Sequence, residues 1–562
     1  MPLTDTVPTG QPLELNVAAI CEAIAAVHPD RECLVFRDRR FTWSQTASRT
    51  RRLARLLAHH RLGVTGRFGT GPRWESVHDH VALYLHNGNE YLEGMLGSWK
   101  ARCAPFNVNY RYVADELRHL LDDAGTRAII VHECFTPTLR AVLPTLERKP
   151  ALILQVADGS GHPLLDGAID YEMALADSSD ELPSELIASW SGDDLYLCYT
   201  GGTTGLPKGA MWRQADFLVA ALGVRRRNGT EYGTLDEIVA GARGTVRALP
   251  APPLMHGAAH WNALSCWIAG GTVIVQDHPE HLDAADVLDS AERHRATSLL
   301  VVGDPVTRPL VDSLRASPRT MPHLRHVLSG GAVLSPALKS ELMSLLPGVT
   351  IVDVLGSTES GRQGVATTGP GDNPHTTFTP SATTVVLSED LSRALDPGAP
   401  ELGWLAQTGR IPLGYLGDEA KTRTTFPQLD GIRYAVAGDR ARRQPDGTIE
   451  LHGRDSVCIN TGGEKVFAEE VETALKTHPA VLDAVVCGRP SDRWGHEVVA
   501  LIHLRQDQDP DDAELLRAAA EHIARFKLPK ELIRLPRLVR SPSGKADYRW
   551  ARAVAEASRP SP

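Results

Sequence analysis

Tyr199-Thr200-Gly201-Gly202-Thr203-Thr204-Gly205-Leu206-Pro207-Lys208-Gly209 follows directly on the apolar run Leu195-Tyr196-Leu197-Cys198, which has the length and character of a buried strand. Four glycines let backbone amides approach an anion closely, three threonine hydroxyls add donors, and Lys208 adds a charge on a flexible stem. The stretch is built to hold phosphates. It is not a P-loop: that pattern needs Gly-Lys-Ser/Thr opening a helix, whereas Leu206-Pro207 separates Gly205 from Lys208 and Gly209 follows. A flexible surface loop is the other reading, and the position straight after a strand argues against it.

Outward from this loop the chain alternates helix and strand. Periodicity predicts a helix over Val17 to Val27, a strand pair near Cys33 to Phe41 and a helix over Trp43 to Ala58. A strand at Val81 to Leu85, a helix from Glu90 to Ala101 and a strand at Ala128 to Val131 continue the order expected of layered α/β architecture. The segment from Thr65 to Asp79, with three glycines and a proline, reads as an inserted surface loop. Further strands are expected near 271–276, 297–302, 326–329 and 349–354. Around Arg440 to Asp455 the text changes to short β pieces, including the turn Gln444-Pro445-Asp446-Gly447-Thr448. Beyond it, a helix over Ala468 to Thr477, strands at Ala484 to Val486 and Val498 to Leu504, and a helix over Asp511 to Arg525 describe a small α+β unit.

The 562 residues allow two to four compact units, and 42% hydrophobic with 23% charged residues is a globular composition. A net charge of -10 gives no general attraction for nucleic acid or anionic lipid, so phosphates must be held by local groups. The eight cysteines are scattered singly with no CxxC pair, as in a reducing compartment. With no signal-peptide pattern at the N-terminus and no run of 18 apolar residues, a cytoplasmic protein without an integral membrane segment is expected. A homodimeric assembly is kept open.

The glycine- and threonine-rich loop resembles the phosphate-binding signature of the adenylate-forming superfamily of acyl-CoA synthetases, peptide-synthetase adenylation domains and firefly-type luciferases. The resemblance implies further motifs in a set order, and they are present. Gly356-Ser357-Thr358-Glu359 is similar to the acid-bearing adenine and metal motif, which implies Mg²⁺ on Glu359 with Thr200 and an α-phosphate contact for Thr358. Leu355 stands where the family usually has an aromatic residue. Ser329-Gly330-Gly331-Ala332 resembles the other wall of that pocket, and Ala437-Gly438-Asp439 resembles the motif whose carboxylate binds both ribose hydroxyls.

Gly453-Arg454-Asp455 resembles the family hinge, with Arg454 at ribose or phosphate and Asp455 as the pivot. This implies an ATP- and acyl-binding unit over 1–453, a hinge at 454–455 and a mobile unit over 456–562. Gly462 and Gly463, within Ile459 to Glu472, resemble the segment that lines the pantetheine tunnel, and Lys545 in Ser541-Pro542-Ser543-Gly544-Lys545 matches the catalytic lysine. The acyl pocket is expected from Met255, His256, Gly257 and Trp261 together with Gly303, Asp304, Gly330 and Gly331. Met255 and Trp261 read equally well as core residues, and His256 as a gate or a buried hydrogen-bonding group, not a base.

The fold implied is a large layered α/β domain followed by a small mobile α+β domain. The activity implied is AMP-forming ligation: Lys545, Thr200 and Glu359 assist attack of a carboxylate on MgATP, and coenzyme A then takes the acyl group. Trp212-Arg213, Pro252 to Ala258 and the ending Lys545 to Trp550 look like actinobacterial fatty-acyl and steroid side-chain CoA ligases, which points to a hydrophobic acid. Transfer to an amine or a carrier-protein thiol is the alternative acceptor chemistry, and a catalytically idle scaffold is the reading from another class.

Overall fold

A computed structural model describes residues 14–200, 207–374, 377–461, 464–491, 494–523, 525–541 and 544–558. The helix Val17–Val27 is capped by Asn16, whose side chain accepts from the Ala19 amide, and the helix Trp43–His59 by a reciprocal pair between Thr42 and Gln45. These helices pack on the helix Asn89–Lys100, which lies on a parallel five-stranded sheet in the order Ala104–Asn107, His80–Tyr84, Ala128–His132, Leu152–Val156, Ile169–Asp170. Every residue of His80–Tyr84 and Ala128–His132 is buried, which is why they read as unbroken apolar runs rather than alternating ones.

The largest sheet among the described residues has a parallel half and an antiparallel half. The parallel half runs Thr350–Ser357, His326–Gly330, Ser298–Val301, Arg247–Pro250, Thr272–Val275, Glu32–Phe36. The sheet turns antiparallel where Gly361–Thr368 folds back on Thr350–Ser357, and it runs on through the long pair Ile449–Arg454 and Ile432–Arg443 to Gly403–Thr408 and the edge strand Thr384–Leu387. Leu355 is a core residue of the antiparallel half, packed with Val386, Leu395 and Leu405.

The insertion is clipped at its base by a bridge between Val64 and His78, and Trp74 accepts from the Gly417 amide at 2.8 Å. After Arg454 a single 3-10 turn, Asp455–Val457, leads into the last unit, whose own core joins Val466, Val471 and Leu475 to Val486, Ala500 and Leu515. Its second expected helix is shorter than the sequence suggests, running Asp512–Ala520. Leu515 and Ala519 are its buried residues, and the chain turns once that stripe ends.

Candidate active site

Leu195–Thr200 and Lys208–Arg213 are antiparallel and in register from Leu195 opposite Arg213 to Thr200 opposite Lys208. The phosphate-type loop therefore closes a hairpin. Gly201, Gly202, Thr203 and Thr204 lie outside the described residues, as do Gly462 and Gly463. Lys208 is ion-paired with Asp418. The outer edge of this hairpin is covered by one buried side chain: Asn107 accepts from the Tyr199 amide at 2.8 Å, donates to the Tyr199 carbonyl at 2.8 Å and to the Met255 carbonyl at 2.8 Å.

The hairpin of Thr350–Ser357 and Gly361–Thr368 brings the second motif beside the first. Gly356 faces Arg362 across this pair. Ser357 Oγ accepts from the Glu359 amide at 3.2 Å, and the Thr358 carbonyl accepts from Trp212 Nε1 at 3.0 Å. Glu359 Oε1 accepts from the Tyr415 hydroxyl at 2.8 Å, which fixes the carboxylate. Asp439 and Arg454 are register partners in the next ladder, and Arg454 Nε donates to Asp439 Oδ1 at 3.1 Å. The Asp439 carboxylate holds the Arg454 guanidinium pKa well above its usual range.

Lys545, from the last unit, enters this cleft. A Cβ placed on Gly331 would lie 4.0 Å from Lys545 Cε, and one on Gly544 would lie 3.5 Å from the Val302 carbonyl. The Lys545 side chain is deep among protein atoms yet faces the open cleft rather than being sealed from solvent. Burial pushes its ammonium pKa down to about 8, Arg454 pushes the same way, and Glu359 and Asp439 oppose. Lys545, Glu359, Asp439 and Arg454 thus meet although Glu359 and Lys545 stand far apart in the chain.

The expected acyl-pocket residues divide. Met255 is a core residue, 1% exposed, whose Sδ accepts from the Tyr110 amide at 3.4 Å. His256 borders the cleft; burial and then the Lys545 cation push its pKa down to about 3, so the ring is neutral at physiological pH and a poor base. Gly257 lies beside Trp261 and the Cys198 sulfur. Trp261 is pinned by a relay: its Nε1 donates to Tyr196 Oη at 3.0 Å, the Tyr196 hydroxyl donates to His260 Nε2, and His260 Nδ1 donates to the Leu254 carbonyl at 2.7 Å. Gly303 has φ +55° and its amide donates to Ser329 Oγ at 3.2 Å; a Cβ there would stand 2.4 Å from the Val333 carbonyl. Gly330 pairs with Val354, and Ala332 packs on the core behind them.

Sequence reasoning missed Asn107, Tyr196, His260 and Tyr415. For Tyr415 a signal existed in Gly414-Tyr415 followed by Asp418, since both side chains anchor groups of the site. Asn107 and Tyr196 carry no local signal.

Two family models match: AMP-binding enzyme over residues 21–406 and AMP-binding enzyme C-terminal domain over residues 470–545. The medium-chain acyl-CoA ligase Mig of Mycobacterium avium is 48% identical over 544 residues, covering 96% of this chain and 98% of that protein. The 3-oxocholest-4-en-26-oate–CoA ligase of Rhodococcus rhodochrous is 37% identical, covering 96% of each. The anthranilate CoA ligase AuaEII, solved with anthranoyl-AMP, shares the fold with a TM-score of 0.82 at 22% identity over 98% of each chain.

Proposed function

Because the chain belongs to the AMP-binding enzyme family, we propose that it is an AMP-forming ligase that converts a hydrophobic carboxylic acid to its coenzyme A thioester, in the cytoplasm. The medium-chain and steroid side-chain ligases among its relatives support a fatty or sterol-derived acid and coenzyme A as the acceptor. No described helix is long and apolar enough to cross a membrane. The observation that carries the reading is the entry of Lys545 into the cleft formed by Glu359, Asp439 and Arg454.

In the first half-reaction a carboxylate oxygen of the acid attacks the α-phosphorus of ATP, the bond to the β-phosphate oxygen breaks, and pyrophosphate leaves. Lys545 holds the carboxylate and α-phosphate together and offsets charge as they meet; losing one such donor typically costs about 3 kcal/mol of barrier. Thr200 and Thr358 donate to phosphate oxygens, Asp439 accepts from the ribose hydroxyls, and Arg454 orients Asp439. Gly330, Gly331, Ala332 and Gly356 form walls against which the nucleotide lies. Lys208 exchanges its ion pair with Asp418 for a phosphate oxygen.

Mg²⁺ fits this donor set. Glu359 is a carboxylate fixed through Oε1 by the Tyr415 hydroxyl, a hard oxygen donor of the kind Mg²⁺ takes beside phosphate and water. Glu359 and Thr200 would hold it, and it would supply neutralisation of the triphosphate. In the second half-reaction the thiol sulfur of coenzyme A attacks the acyl carbon and AMP leaves. We assign Asp455 as the pivot between the units 1–453 and 456–562, turning Lys545 out and Gly462-Gly463 in.

The test is pyrophosphate release with fatty, aromatic and steroid side-chain acids, each with and without coenzyme A, with the thioester identified by mass. Release with one class and a thioester product support the reading. Absence of release with every acid would sink it, and release with acyl transfer only to amines would move the acceptor.

A further inference from the structure

Half-buried arginines among the described residues are held by acids or by carbonyls: Arg433 donates to the Leu413 carbonyl, and others have acids beside them. Arg410 binds Asp216 and Glu231, Arg213 binds Asp193 and Asp216, and Arg49 binds Glu93 and Glu172. Arg362 differs. It is half-buried, its Nε is shut off from solvent without a partner, and the described residues offer its guanidinium neither a hydrogen bond nor an ion pair. Burial alone shifts its pKa, downward, with no carboxylate opposing. A guanidinium drawn part-way out of water and left unpaired is costly, so such a group is retained where something else supplies the acceptor.

Its position says where that acceptor comes from. Arg362 starts opposite Gly356, three residues after Glu359, and reaches away from the nucleotide motif to Gly223, where a Cβ would stand 2.9 Å from its Nη1. Gly223 lines a cavity of about 130 Å³ with Leu222, Ser265 and Ile268. Ser265 and Ile268 belong to the helix Gly257–Ile268, which begins at the reaction cleft. On this helix Ala258, Trp261, Asn262 and Ser265 are only half-buried, at the spacing of one face, and Asn262 Oδ1 is a second buried polar atom without a partner. One helix face therefore leads from His256 and Lys545 toward Arg362 and the cavity.

We propose that Arg362 is a specificity-determining residue that binds an oxygen at the far end of the acyl chain, so that the preferred acids are hydrophobic along their length and carry a carbonyl or a second carboxylate distally. The guanidinium donates to that oxygen, and the oxygen replaces the acceptor the protein does not provide. This deepens, and rests on, the acyl-CoA ligase reading. A site built to hydrogen-bond a substrate oxygen rejects an analogue lacking it far more strongly than an apolar pocket rejects a missing methylene.

The experiment compares full-length wild type, Arg362→Met and Arg362→Lys with straight-chain acids of equal length ending in a methyl, a methyl ketone or a carboxylate, reading kcat/KM by pyrophosphate release with coenzyme A present. Wild type is expected to favour an oxygen-ended acid, and Arg362→Met to lower kcat/KM for it by ~10-fold or more while leaving the methyl-ended acid unchanged or better. Arg362→Lys, which keeps the charge, should retain part of the preference. The larger loss, on ketone or on carboxylate, identifies the oxygen. Equal kcat/KM on all three ends in wild type, or an equal loss on all three in Arg362→Met, would overturn the proposal, while turnover of the methyl-ended acid shows both that the variant is folded and that the ligase reading stands. No turnover of any acid by wild type refutes the ligase reading instead.

Discussion

Lys476 Nζ lies 2.9 Å from Asp304 Oδ2, and this ion pair ties the small C-terminal unit to the acyl-side wall of the large one. Lys476 caps the C-terminus of the helix Ala468–Leu475, and Asp304 stands in the first turn of Gly303–Ala316, so each charge also complements its helix dipole. The side chains are 10% and 11% exposed, so the pair is screened far less than a surface one. It exists in the arrangement that seats Lys545 in the cleft, and the proposed rotation about Asp455 would separate it. Lys476→Met should weaken this arrangement by about 1–2 kcal/mol, roughly a 5- to 30-fold slower pyrophosphate burst. Thiolysis of preformed acyl-AMP should be undiminished, and an equal loss in both half-reactions would show that Lys476 acts elsewhere.

As the proposed adenylation lysine, Lys545 should give that step a pH dependence of definite sign. Its lowered pKa, about 8 in the free enzyme, means that the cation is present below that pH and lost above it. The kcat/KM for ATP, which reports the free enzyme, should therefore fall as pH rises through about 8. Lys545→Arg should be slower but flat across that range, because a guanidinium stays protonated, and Lys545→Ala should largely abolish pyrophosphate release while sparing thiolysis of acyl-AMP. A profile in Lys545→Arg that still falls near pH 8 would assign the titration to another group.

What could be read in the sequence was what sits in short windows. The helix Val17–Val27 and the strands expected to end at Tyr199 and Ser329, which run one residue further to Thr200 and Gly330, follow from periodicity and glycine placement. What could not be read was contact between distant windows. Asn107 meets Met255 across 148 residues, Lys476 meets Asp304 across 172, and Tyr415 meets Glu359 across 56. Each of these side chains is unremarkable beside its own neighbours and acquires a role only when the sheets are assembled.

Asn107 is the clearest such residue, since one amide group joins the strand before the phosphate loop to the acyl-side loop. Asn107→Ala leaves the Tyr199 amide, the Tyr199 carbonyl and the Met255 carbonyl without partners in a buried setting. A cost of roughly 2–4 kcal/mol in unfolding free energy is expected, read by denaturant titration. Because both loops are released together, KM for ATP and for the acid should rise together. A rise in only one would mean that the two loops are held independently.

Asp455 allows a substitution that distinguishes the two half-reactions without distorting this arrangement. Arg454 has φ -91° and ψ 135°, the extended conformation that a following proline requires, and Asp455 is the first residue of a 3-10 turn, a position where proline is tolerated. Asp455→Pro should therefore accept the present arrangement, with Lys545 in the cleft, and resist the backbone rotation at 454–455 that would turn the small unit. Adenylation should stay within a few-fold of wild type, and thioester formation should fall by on the order of tenfold or more in single-turnover assays. Slower adenylation with normal thiolysis is the opposite pattern, and it would move the pivot away from Asp455. Combined with Lys476→Met, the same substitution should restore much of the lost pyrophosphate burst, because a locked hinge makes the Lys476 to Asp304 contact dispensable for holding Lys545 in place.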